Sequence, residues 1–295
     1  MKKEIKITVG WPAAGKSSMV KEYAAKGYAI VNRDDLKCSV EESHARIEPL
    51  LSLHDKIIVD NIHLTPEHRA SVVRIAKKLG ADISVLHLQT TFEEAQFNAC
   101  WRTEHGGRHI PAPGLYAAKK TYVEPSLAEG FSSITKVPFK RVLPPEYKNK
   151  AVIVDYDGTV RTTKSGAKFP SNPNDIKIIP GISKKLQEYK DNGYLLLGAS
   201  NQSFVGKGEL PEDVCIACFD KTNELLGLDI DYLFSPDAAF PITSYLRKPL
   251  PGMGVKHIIK HKLNPAETIM VGDATSDKTF AGRCGFKFIH INQFL

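Results

Sequence analysis

Two short segments of this chain carry residues whose types and spacing could perform phosphate chemistry. The first, GWPAAGKSS (10–18), fits the pattern G-x-x-x-x-G-K-[ST] without a mismatch. The second, DYDGT (155–159), places two aspartates two residues apart, directly before a glycine. A loop of the first kind helps to place a phosphate on an acceptor, whereas an Asp-x-Asp pair suits phosphate removal. A polypeptide that carries both segments therefore needs two sites, which act on different substrates or on different ends of one substrate.

Each residue type in the first segment has its own task around a nucleotide. Gly10 and Gly15 let backbone N–H groups turn inward around the phosphates, and the helix that follows adds the positive end of its dipole. Lys16 would reach the β- and γ-phosphates, and the hydroxyl of Ser17, next to Ser18, would ligate Mg²⁺. The segment follows a predicted strand and precedes a predicted helix, as the motif requires. We therefore expect an ATP site with Mg²⁺ in this loop.

A phosphate loop is shared by kinases, ATPases and GTPases, so the acceptor side has to separate them. The second apolar run ends in VNRDDLK, where Asp34 or Asp35 could act as a general base. The two acids cannot both face one site if the strand continues, because neighbouring side chains diverge. The third run ends at Asp60, which would lie near the Mg²⁺ of the loop or near the acceptor. Arg102 and Arg108, in RTEHGGRH, predict a mobile lid that could stabilise the transferring phosphoryl group.

Together these segments resemble the kinase half of polynucleotide 5′-hydroxyl kinases of the phage type. The resemblance rests on GWPAAGKSS, NRDDLK, DNIHLTPEHR and the downstream arginines. It implies that Asp34 is the general base and that Lys37 holds a backbone phosphate of the acceptor. The phage pattern has arginine at that position, and lysine would keep the charge while losing bidentate contact. Asp60 matches the family's acid on the next strand, and Arg102 and Arg108 are both candidates for the lid arginine.

The second half of the chain places an aspartate at the end of a strand. Asp155 follows the apolar run AVIV and could attack phosphorus to form an aspartyl-phosphate. Asp157 returns to the same side of the chain, where it could protonate the leaving oxygen and then activate water. Further along, Ser200 offers a hydroxyl to a phosphoryl oxygen, and Asn201 follows it directly. Lys248 can neutralise the charge of the nucleophile and of the phosphate.

Two late acids complete this set. Asp273, in VGDATSD, can hold Mg²⁺ together with Asp155 and Asp157, and Asp277 can support the ion from the next turn. A nucleophile, a hydroxyl, a lysine and a late acid in this order resemble the four motifs of the haloacid-dehalogenase superfamily. VRTTKSGAKFPSNPNDIKIIPGI resembles the segment after the nucleophile in polynucleotide 3′-phosphatases, and the likeness covers nearly all of residues 151–280. This resemblance implies a polynucleotide 3′-phosphatase.

Three cations lie in the loop that follows the nucleophile. We expect Arg161 and Lys164, with Lys168, to hold phosphates of a polynucleotide upstream of the reacting end. Such phosphates lie beyond the reach of Ser200 and Lys248. The alternative is that these cations only keep the loop soluble.

The segment RKPLPGM (247–253) also occurs in histidinol-phosphate and heptose-bisphosphate phosphatases, which are the other candidate relatives. Those families carry a Cys/His zinc cluster just before this segment. Here the preceding stretch, SPDAAFPITSYL, contains neither residue type. Cys215 and Cys218 lie in a helical pattern without a second pair to complete a zinc site, so we expect two buried thiols.

Short apolar runs alternate with amphipathic segments along the whole chain, which predicts an α/β fold. The runs include IKITV (5–9), KIIVD (56–60), ISVLHL (83–88), AVIVD (151–155), YLLLGAS (194–200) and TIMVGD (268–273). Their Ile, Val and Leu content is typical of buried parallel strands. The polar stretch RVLPPEYKNK (141–150) separates two doubly wound parallel-sheet domains. These are an N-terminal P-loop kinase, residues 1–145, and a C-terminal haloacid-dehalogenase-like phosphatase, residues 151–295.

The chain has 295 residues, a formal net charge of +7 and five cysteines. This length suits two domains, each with its own core. We expect neither a signal peptide nor a membrane span, and the unpatterned cysteines favour the cytoplasm. The positive charge permits an anionic partner, although lysine-rich surfaces also serve solubility.

The two resemblances together imply an enzyme that acts on the two ends of a DNA or RNA break. The kinase half would use ATP and Mg²⁺ at a 5′-hydroxyl, and the phosphatase half would clear a 3′-phosphate, so neither product is the other's substrate. A nucleic-acid ligase is then an expected partner, and a homo-oligomer stays open. Two alternatives are a sugar or nucleoside kinase fused to a sugar phosphatase, and a binding protein without chemistry. None of the predicted catalytic residues is replaced by an inert residue type, which disfavours a binding protein without chemistry.

Overall fold

The computed structural model describes residues 3–37, 39–61 and 63–295, without the side chains of Asp34 and Asp35. The chain forms two compact units. One contains residues 1–99 and 114–141, and the other contains residues 100–113 and 142–295. The predicted division into 1–145 and 151–295 differs from these units chiefly in the segment 100–113, and it stays a prediction.

The first unit is a parallel sheet with connecting helices, two of which, α6 and α7, extend into the segment 100–113. The elements are β1 (Glu4–Val9), α1 (Lys16–Ala25), β2 (Ala29–Asn32), α2 (Arg33–Leu36), α3 (Val40–Ala45), α4 (Ile47–Leu53), β3 (Lys56–Asp60), α5 (Pro66–Lys78), β4 (Asp82–Leu88), α6 (Phe92–Glu104), α7 (Ala112–Thr121) and β5 (Ser133–Val137). The strand order is β2-β3-β1-β4-β5. All neighbours are parallel.

Helices cover both faces of this sheet. Ile57 and Val59 of β3 pack with α4 and α5 in one cluster, whereas Ile58 packs with Val20 of α1 in another. Successive strand residues point to opposite faces, so the alternation puts these helices on opposite sides. The doubly wound arrangement predicted from the apolar runs is confirmed.

A capping residue and a proline in the sequence set the start of α5. The hydroxyl of Thr65 accepts a hydrogen bond from the N–H of His68, and Pro66 occupies the first helical position. Proline is tolerated there because the first N–H groups of a helix have no partner within it.

The second unit contains another five-stranded parallel sheet and a small hairpin. Its elements are β6 (Asn149–Val154), β7 (Arg161–Thr163), β8 (Ile176–Ile178), α8 (Ile182–Asp191), β9 (Leu195–Asn201), α9 (Ser203–Gly206), α10 (Glu212–Leu226), β10 (Asp231–Ser235), α11 (Gly252–His261), β11 (Leu263–Gly272), α12 (Thr275–Cys284), β12 (Lys287–His290) and α13 (Ile291–Phe294). The sheet order is β10-β9-β6-β11-β12, and β7 pairs with β8 in antiparallel fashion. All five sheet strands run parallel.

The core of the second unit is apolar and includes two thiols. Val152 and Val154 of β6 pack with residues of α8 and α10. Cys215 and Cys218 lie in α10 as free, buried cysteines, which confirms that part of the prediction. None of the helices described here combines the length and the apolar character that crossing a bilayer requires.

Candidate active sites

The loop after β1 wraps back on itself at the start of α1. Gly15 precedes the helix with a φ of 95°, a left-handed conformation that favours glycine. The ammonium of Lys16 donates to the carbonyls of Gly10 and Trp11 at 3.1 and 2.8 Å. Ser18 is exposed in the first turn, and its N–H donates to the carbonyl of Gly15. The structure therefore brings the predicted nucleotide-binding residues into one turn at a helix N-terminus.

The hydroxyl of Ser17 meets the acid at the end of the neighbouring strand. Ser17 Oγ donates to Asp60 Oδ2 at 3.3 Å, and Thr8 Oγ1 donates to Asp60 Oδ1 at 3.2 Å. Asp60 is buried at the carboxyl end of β3. Hydroxyl and carboxylate oxygens are ligands that Mg²⁺ prefers, so Ser17 and Asp60 fit this ion. Of the two positions expected for Asp60, this contact favours the one beside Mg²⁺.

On the acceptor side, the backbone leaves the strand before it reaches the two predicted acids. Strand β2 ends at Asn32, which lies opposite Asp60 on β3, and helix α2 begins at Arg33. The strand therefore ends before the two acids, and the condition under which their side chains would diverge is not met. The side chain of Asp34 lies outside the described part, and its role as general base stays a prediction. Lys37 is exposed and follows α2 with a positive φ of 49°.

Arg102 and Arg108 belong to the segment 100–113, which groups with the second unit. Arg102 lies near the end of α6, and its side chain folds against Gly107. The role of both arginines in a lid stays a prediction.

A buried histidine supports the phosphate-loop strand and was missed by the sequence analysis. The Nδ1 atom of His63 lies 3.0 Å from the carbonyl oxygen of Thr8. Since a carbonyl only accepts, Nδ1 carries the proton and donates. Burial lowers the pKa of His63 to about 3, although the bond to Thr8 acts in the opposite direction. The ring is therefore neutral and ties the end of β1 to the segment after β3.

In the second unit, three predicted residues meet at the carboxyl ends of β6 and β11. Lys248 Nζ donates to Asp155 Oδ1 at 2.8 Å and lies 2.7 Å from Asp277 Oδ1. Lys248 is only 3% exposed, and a buried ammonium requires such partners. Asp277 thus belongs to the site directly, in contact with the lysine. This cluster can hold a nucleophilic carboxylate next to a fixed positive charge.

Asp273 completes a group of three carboxylates. Oxygens of Asp155, Asp273 and Asp277 lie within 4.8 Å of one another. Oxygen-rich, anionic sites of this kind suit Mg²⁺, so the residues present fit the ion. Gly158 has a φ of 86°, and any side chain there would collide with Asp273. The glycine of the DYDGT segment is therefore required for the close approach of the two loops.

Burial and neighbouring charges shift the pKa values in this cluster. Burial raises the pKa of Asp155 to about 6, an effect that Lys248 opposes and Asp277 reinforces. Burial alone would lower the pKa of Lys248, but the two carboxylates more than offset it and raise the value. Lys248 therefore stays charged and favours the ionised form of the nucleophile.

The position of Asp157 bears on two predictions about this site. Its oxygens accept from Arg161 Nε at 2.7 Å and from Gln202 Nε2 at 2.8 Å. Among the described residues, the carboxylate cluster consists of Asp155, Asp273 and Asp277, and a metal-binding role for Asp157 stays a prediction. Arg161 is 1% exposed and also donates to the carbonyl of Cys218 and the hydroxyl of Thr222. It holds Asp157 from inside the protein, and this burial does not suit the predicted contact with substrate phosphate.

Ser200 and Asn201 lie at the end of β9, beside the nucleophile's strand. Asn201 exchanges two hydrogen bonds of 2.9 Å with the backbone of Lys248, and so positions the lysine. Ser200 accepts from Gln202 Nε2 at 3.0 Å. Gln202 links the Ser200 hydroxyl to Asp157, a role that was not predicted from the sequence. The one sequence feature that could have indicated this role is the position of Gln202 directly after Ser200 and Asn201.

Lys164 and Lys168 are exposed beyond strand β7. Lys164 Nζ donates to the carbonyl of Asn174 at 2.7 Å, which uses one of its three N–H donors. Lys168 lies over the ring of Phe169, 5.3 Å from its centroid. Both remain accessible to an anionic ligand.

Comparisons with known proteins place the second half of the chain among phosphatases. The family model described as polynucleotide kinase 3 phosphatase matches residues 150–294. The chain is 32% identical over 139 residues to the bifunctional polynucleotide phosphatase/kinase of Schizosaccharomyces pombe, a match that spans 46% of this chain and 34% of that protein. It therefore spans about a third of that relative's length.

The chain is also similar to a sugar-phosphate phosphatase and to a solved chain of an RNA repair complex. The chain is 30% identical over 152 residues to D-glycero-beta-D-manno-heptose-1,7-bisphosphate 7-phosphatase of Haemophilus ducreyi, covering 47% of this chain and 80% of that protein. A solved chain of the Pnkp1/Rnl/Hen1 RNA repair complex is similar over 98% of this chain and 96% of its own, at 17% identity and a TM-score of 0.34. So low a TM-score carries no functional argument.

Proposed function

We propose, since residues 150–294 match the family model described as polynucleotide kinase 3 phosphatase, that the protein heals the ends of broken nucleic acids. The second unit would remove 3′-phosphates through an aspartyl-phosphate, and the first would phosphorylate 5′-hydroxyl ends with ATP. The observation that carries the proposal is the convergence of Asp155, Lys248, Asp273 and Asp277 within the matched segment.

The phosphatase step follows from the positions of the two DYDGT aspartates. Asp155 attacks phosphorus, and the bond to the 3′-oxygen breaks as that oxygen takes a proton from Asp157. Water, deprotonated by Asp157, then attacks the aspartyl-phosphate and releases inorganic phosphate. Lys248 stabilises the charge that develops during both steps. Mg²⁺ held by Asp155, Asp273 and Asp277 would supply further positive charge at the phosphoryl oxygens.

The kinase step uses the loop at the start of α1. The N–H groups of the loop and Lys16 would bind the ATP phosphates, while Ser17 and Asp60 would hold Mg²⁺. Asp34, at the carboxyl end of β2, would accept the proton of the 5′-hydroxyl as its oxygen attacks the γ-phosphorus. Lys37 would bind a backbone phosphate of the acceptor. These roles rest on the resemblance and on the shared edge of the sheet.

The proposal is tested by scoring both ends of defined substrates. The protein is incubated with ATP, Mg²⁺ and DNA or RNA oligonucleotides that carry a 5′-hydroxyl and a 3′-phosphate. We expect 5′-phosphate and 3′-hydroxyl products, and chelation of Mg²⁺ should stop both reactions. Ends that stay unchanged with both nucleic acids would overturn the proposal. Products of this kind are what a ligase joins, so we propose a ligase as a partner.

A second candidate is a phosphatase for a small sugar phosphate. It is favoured by the 30% identity over 80% of the Haemophilus ducreyi enzyme. Salt separates the two, because binding of a polynucleotide weakens steeply as salt rises, with a slope set by the phosphates contacted. Hydrolysis of a sugar bisphosphate that exceeds that of a 3′-phosphorylated oligonucleotide would favour this candidate.

Lys164 provides a test of substrate class. If its ammonium contacts an upstream phosphate, Lys164→Ala should weaken oligonucleotide binding and reduce the salt slope by about one. We expect a higher KM for a 3′-phosphorylated oligonucleotide and little change with p-nitrophenyl phosphate, which has no upstream phosphate. Lys287→Ala is the matched control, because this exposed lysine lies at the amino end of edge strand β12. Equal losses on both substrates would count against a nucleic-acid role for Lys164.

Arg161 provides a test of the general acid. The Arg161→Lys variant keeps the charge but shortens the reach to Asp157, so Asp157 should be less well oriented. We expect kcat for the oligonucleotide to fall about tenfold, a part of the ~10²–10⁴ that general acid catalysis supplies. The KM should stay the same, and p-nitrophenyl phosphate, whose leaving group needs little protonation, should be affected less. A change in KM alone would show that Arg161 does not act through Asp157.

A further inference from the structure

A second group of metal-ligand side chains lies in the same unit but at the other end of the sheet. Asp231 is the first residue of β10, whereas Asp155 and Asp273 follow the carboxyl ends of β6 and β11. Since all five strands are parallel, Asp231 lies at the edge opposite the candidate phosphatase site. This group is therefore separate from the residues that carry the proposed chemistry.

Helix α11 supplies two histidines to the group. His257 and His261 are four residues apart and so lie on one face of the helix. One ligand atom from each histidine and one carboxylate oxygen of Asp231 lie within 4.8 Å of one another. His261 Nε2 is 2.6 Å from Asp231 Oδ2. Zinc bonds to nitrogen and oxygen of about 2.0–2.2 Å separate two tetrahedral ligand atoms by about 3.4 Å, so this hydrogen-bonded pair would open slightly to admit the ion.

His257 has an unused nitrogen in the interior. The residue is 0% exposed, and its Nε2 lies 2.9 Å from the carbonyl oxygen of Gly198. The carbonyl can only accept, so Nε2 carries the proton and Nδ1 keeps a lone pair. Nδ1 is buried and has no hydrogen-bond partner. A buried acceptor without a partner is unfavourable, and a metal ion would satisfy it.

We propose that Asp231, His257 and His261 bind one divalent transition-metal ion, with zinc as the ion that the ligand set suits best. Two histidines and one carboxylate form a common protein site for zinc, with the fourth position left to water. The bond from His257 Nε2 to a backbone carbonyl is the support that metal-binding histidines usually have. The site lies at the last turn of α11, where the helix dipole favours positive charge.

A lysine now occupies part of this site. Lys260 Nζ lies 2.6 Å from Asp231 Oδ2, and its side chain is 59% exposed. A long, exposed side chain can turn away into solvent when a divalent ion arrives. The Asp231 side chain is itself 38% exposed, which gives a hydrated ion a path to the carboxylate. Lys260 therefore competes with the metal without blocking it.

A bound ion would join the end of α11 to the edge strand β10. The segment before α11 carries Lys248, whose N–H and carbonyl are held by Asn201. Fixing the helix at its last turn would stabilise the unit that presents this lysine. The ion would thus stabilise this unit, and this inference does not depend on the proposed reactions.

Zinc binding can be measured directly by titration calorimetry on the full chain. Excess Mg²⁺ is included to occupy the carboxylate cluster at Asp155. We expect one zinc ion per chain, a higher Tm with zinc, and visible d–d bands of tetrahedral type when Co²⁺ is used instead. His261→Ala, at a partly exposed position that should tolerate the change, should weaken zinc binding more than about tenfold and remove the Co²⁺ bands.

Three further variants make the test specific. Asp231→Asn should also weaken binding, since it removes the anionic ligand. Lys260→Ala should tighten binding, because the competing ammonium is gone. His68→Ala, at an exposed position on α5, should bind zinc like the wild type. The proposal is overturned if the wild type binds no zinc, if His261→Ala binds as tightly as wild type, or if only Asp273→Asn removes the ion.

Discussion

Replacing Asp155 by asparagine is expected to abolish 3′ dephosphorylation and to leave 5′ phosphorylation intact. Asparagine has nearly the same size and can still lie beside Lys248, which now contacts Asp155 at 2.8 Å. Its amide is a poor nucleophile, so no covalent intermediate should form. Loss of a nucleophile often costs about 10³-fold or more in kcat. The rate is measured by 3′-end analysis of a phosphorylated oligonucleotide.

The reciprocal variant provides the control for this result. Lys16→Ala removes the cation that contacts Gly10 and Trp11 at the phosphate loop, so it should stop phosphorylation while dephosphorylation continues. Beryllium trifluoride, which mimics an aspartyl-phosphate, should inhibit the phosphatase alone. If the Asp155→Asn protein still dephosphorylates at a normal rate, the nucleophile lies elsewhere.

The Asp34→Ala variant should lose 5′ phosphorylation and keep 3′ dephosphorylation. Strand β2 ends at Asn32, opposite the buried Asp60, and Asp34 follows two residues later in α2. This places the backbone of Asp34 at the same edge of the sheet as the phosphate loop. Removal of a general base lowers kcat by ~10²–10⁴, as measured with a 5′-hydroxyl oligonucleotide and ATP.

The neighbouring acid supplies a matched control for Asp34. Asp35→Ala removes the same charge one residue away, and it should reduce phosphorylation far less. The reverse order of the two effects would assign the base to Asp35. Kinase activity within about tenfold of wild type in both variants would instead point to Asp60.

The buried strands and the motif residues at their ends could be predicted from the sequence because both signals are local. A run such as IKITV is apolar on both faces, which only a parallel strand covered by helices requires. The edge strands β5, β10 and β12 lack this signal and were not predicted, whereas the edge strand β2 ends the second apolar run. The residues of β10 and β12 are largely half-buried, so no continuous apolar run marks them.

The partners of the charged side chains were decided by the tertiary structure. Arg161 could have been a surface cation from its sequence position, yet it lies inside the unit against Asp157 and α10. Asp60 could have faced the acceptor or the metal, and its contact with Ser17 is made across 43 residues. Such choices depend on which elements pack together, and spacing along the chain does not encode that.

The Asp231, His257 and His261 group shows the same limit. The two histidines have helical spacing in the sequence, but nothing local connects them to an aspartate 26 residues before the first of them. Only the packing of α11 against the start of β10 brings the carboxylate to the rings. The sequence by itself determined the fold class, the phosphate loop and the candidate nucleophile. The folded chain decided which charges are buried, because burial depends on contacts between segments that are distant in sequence.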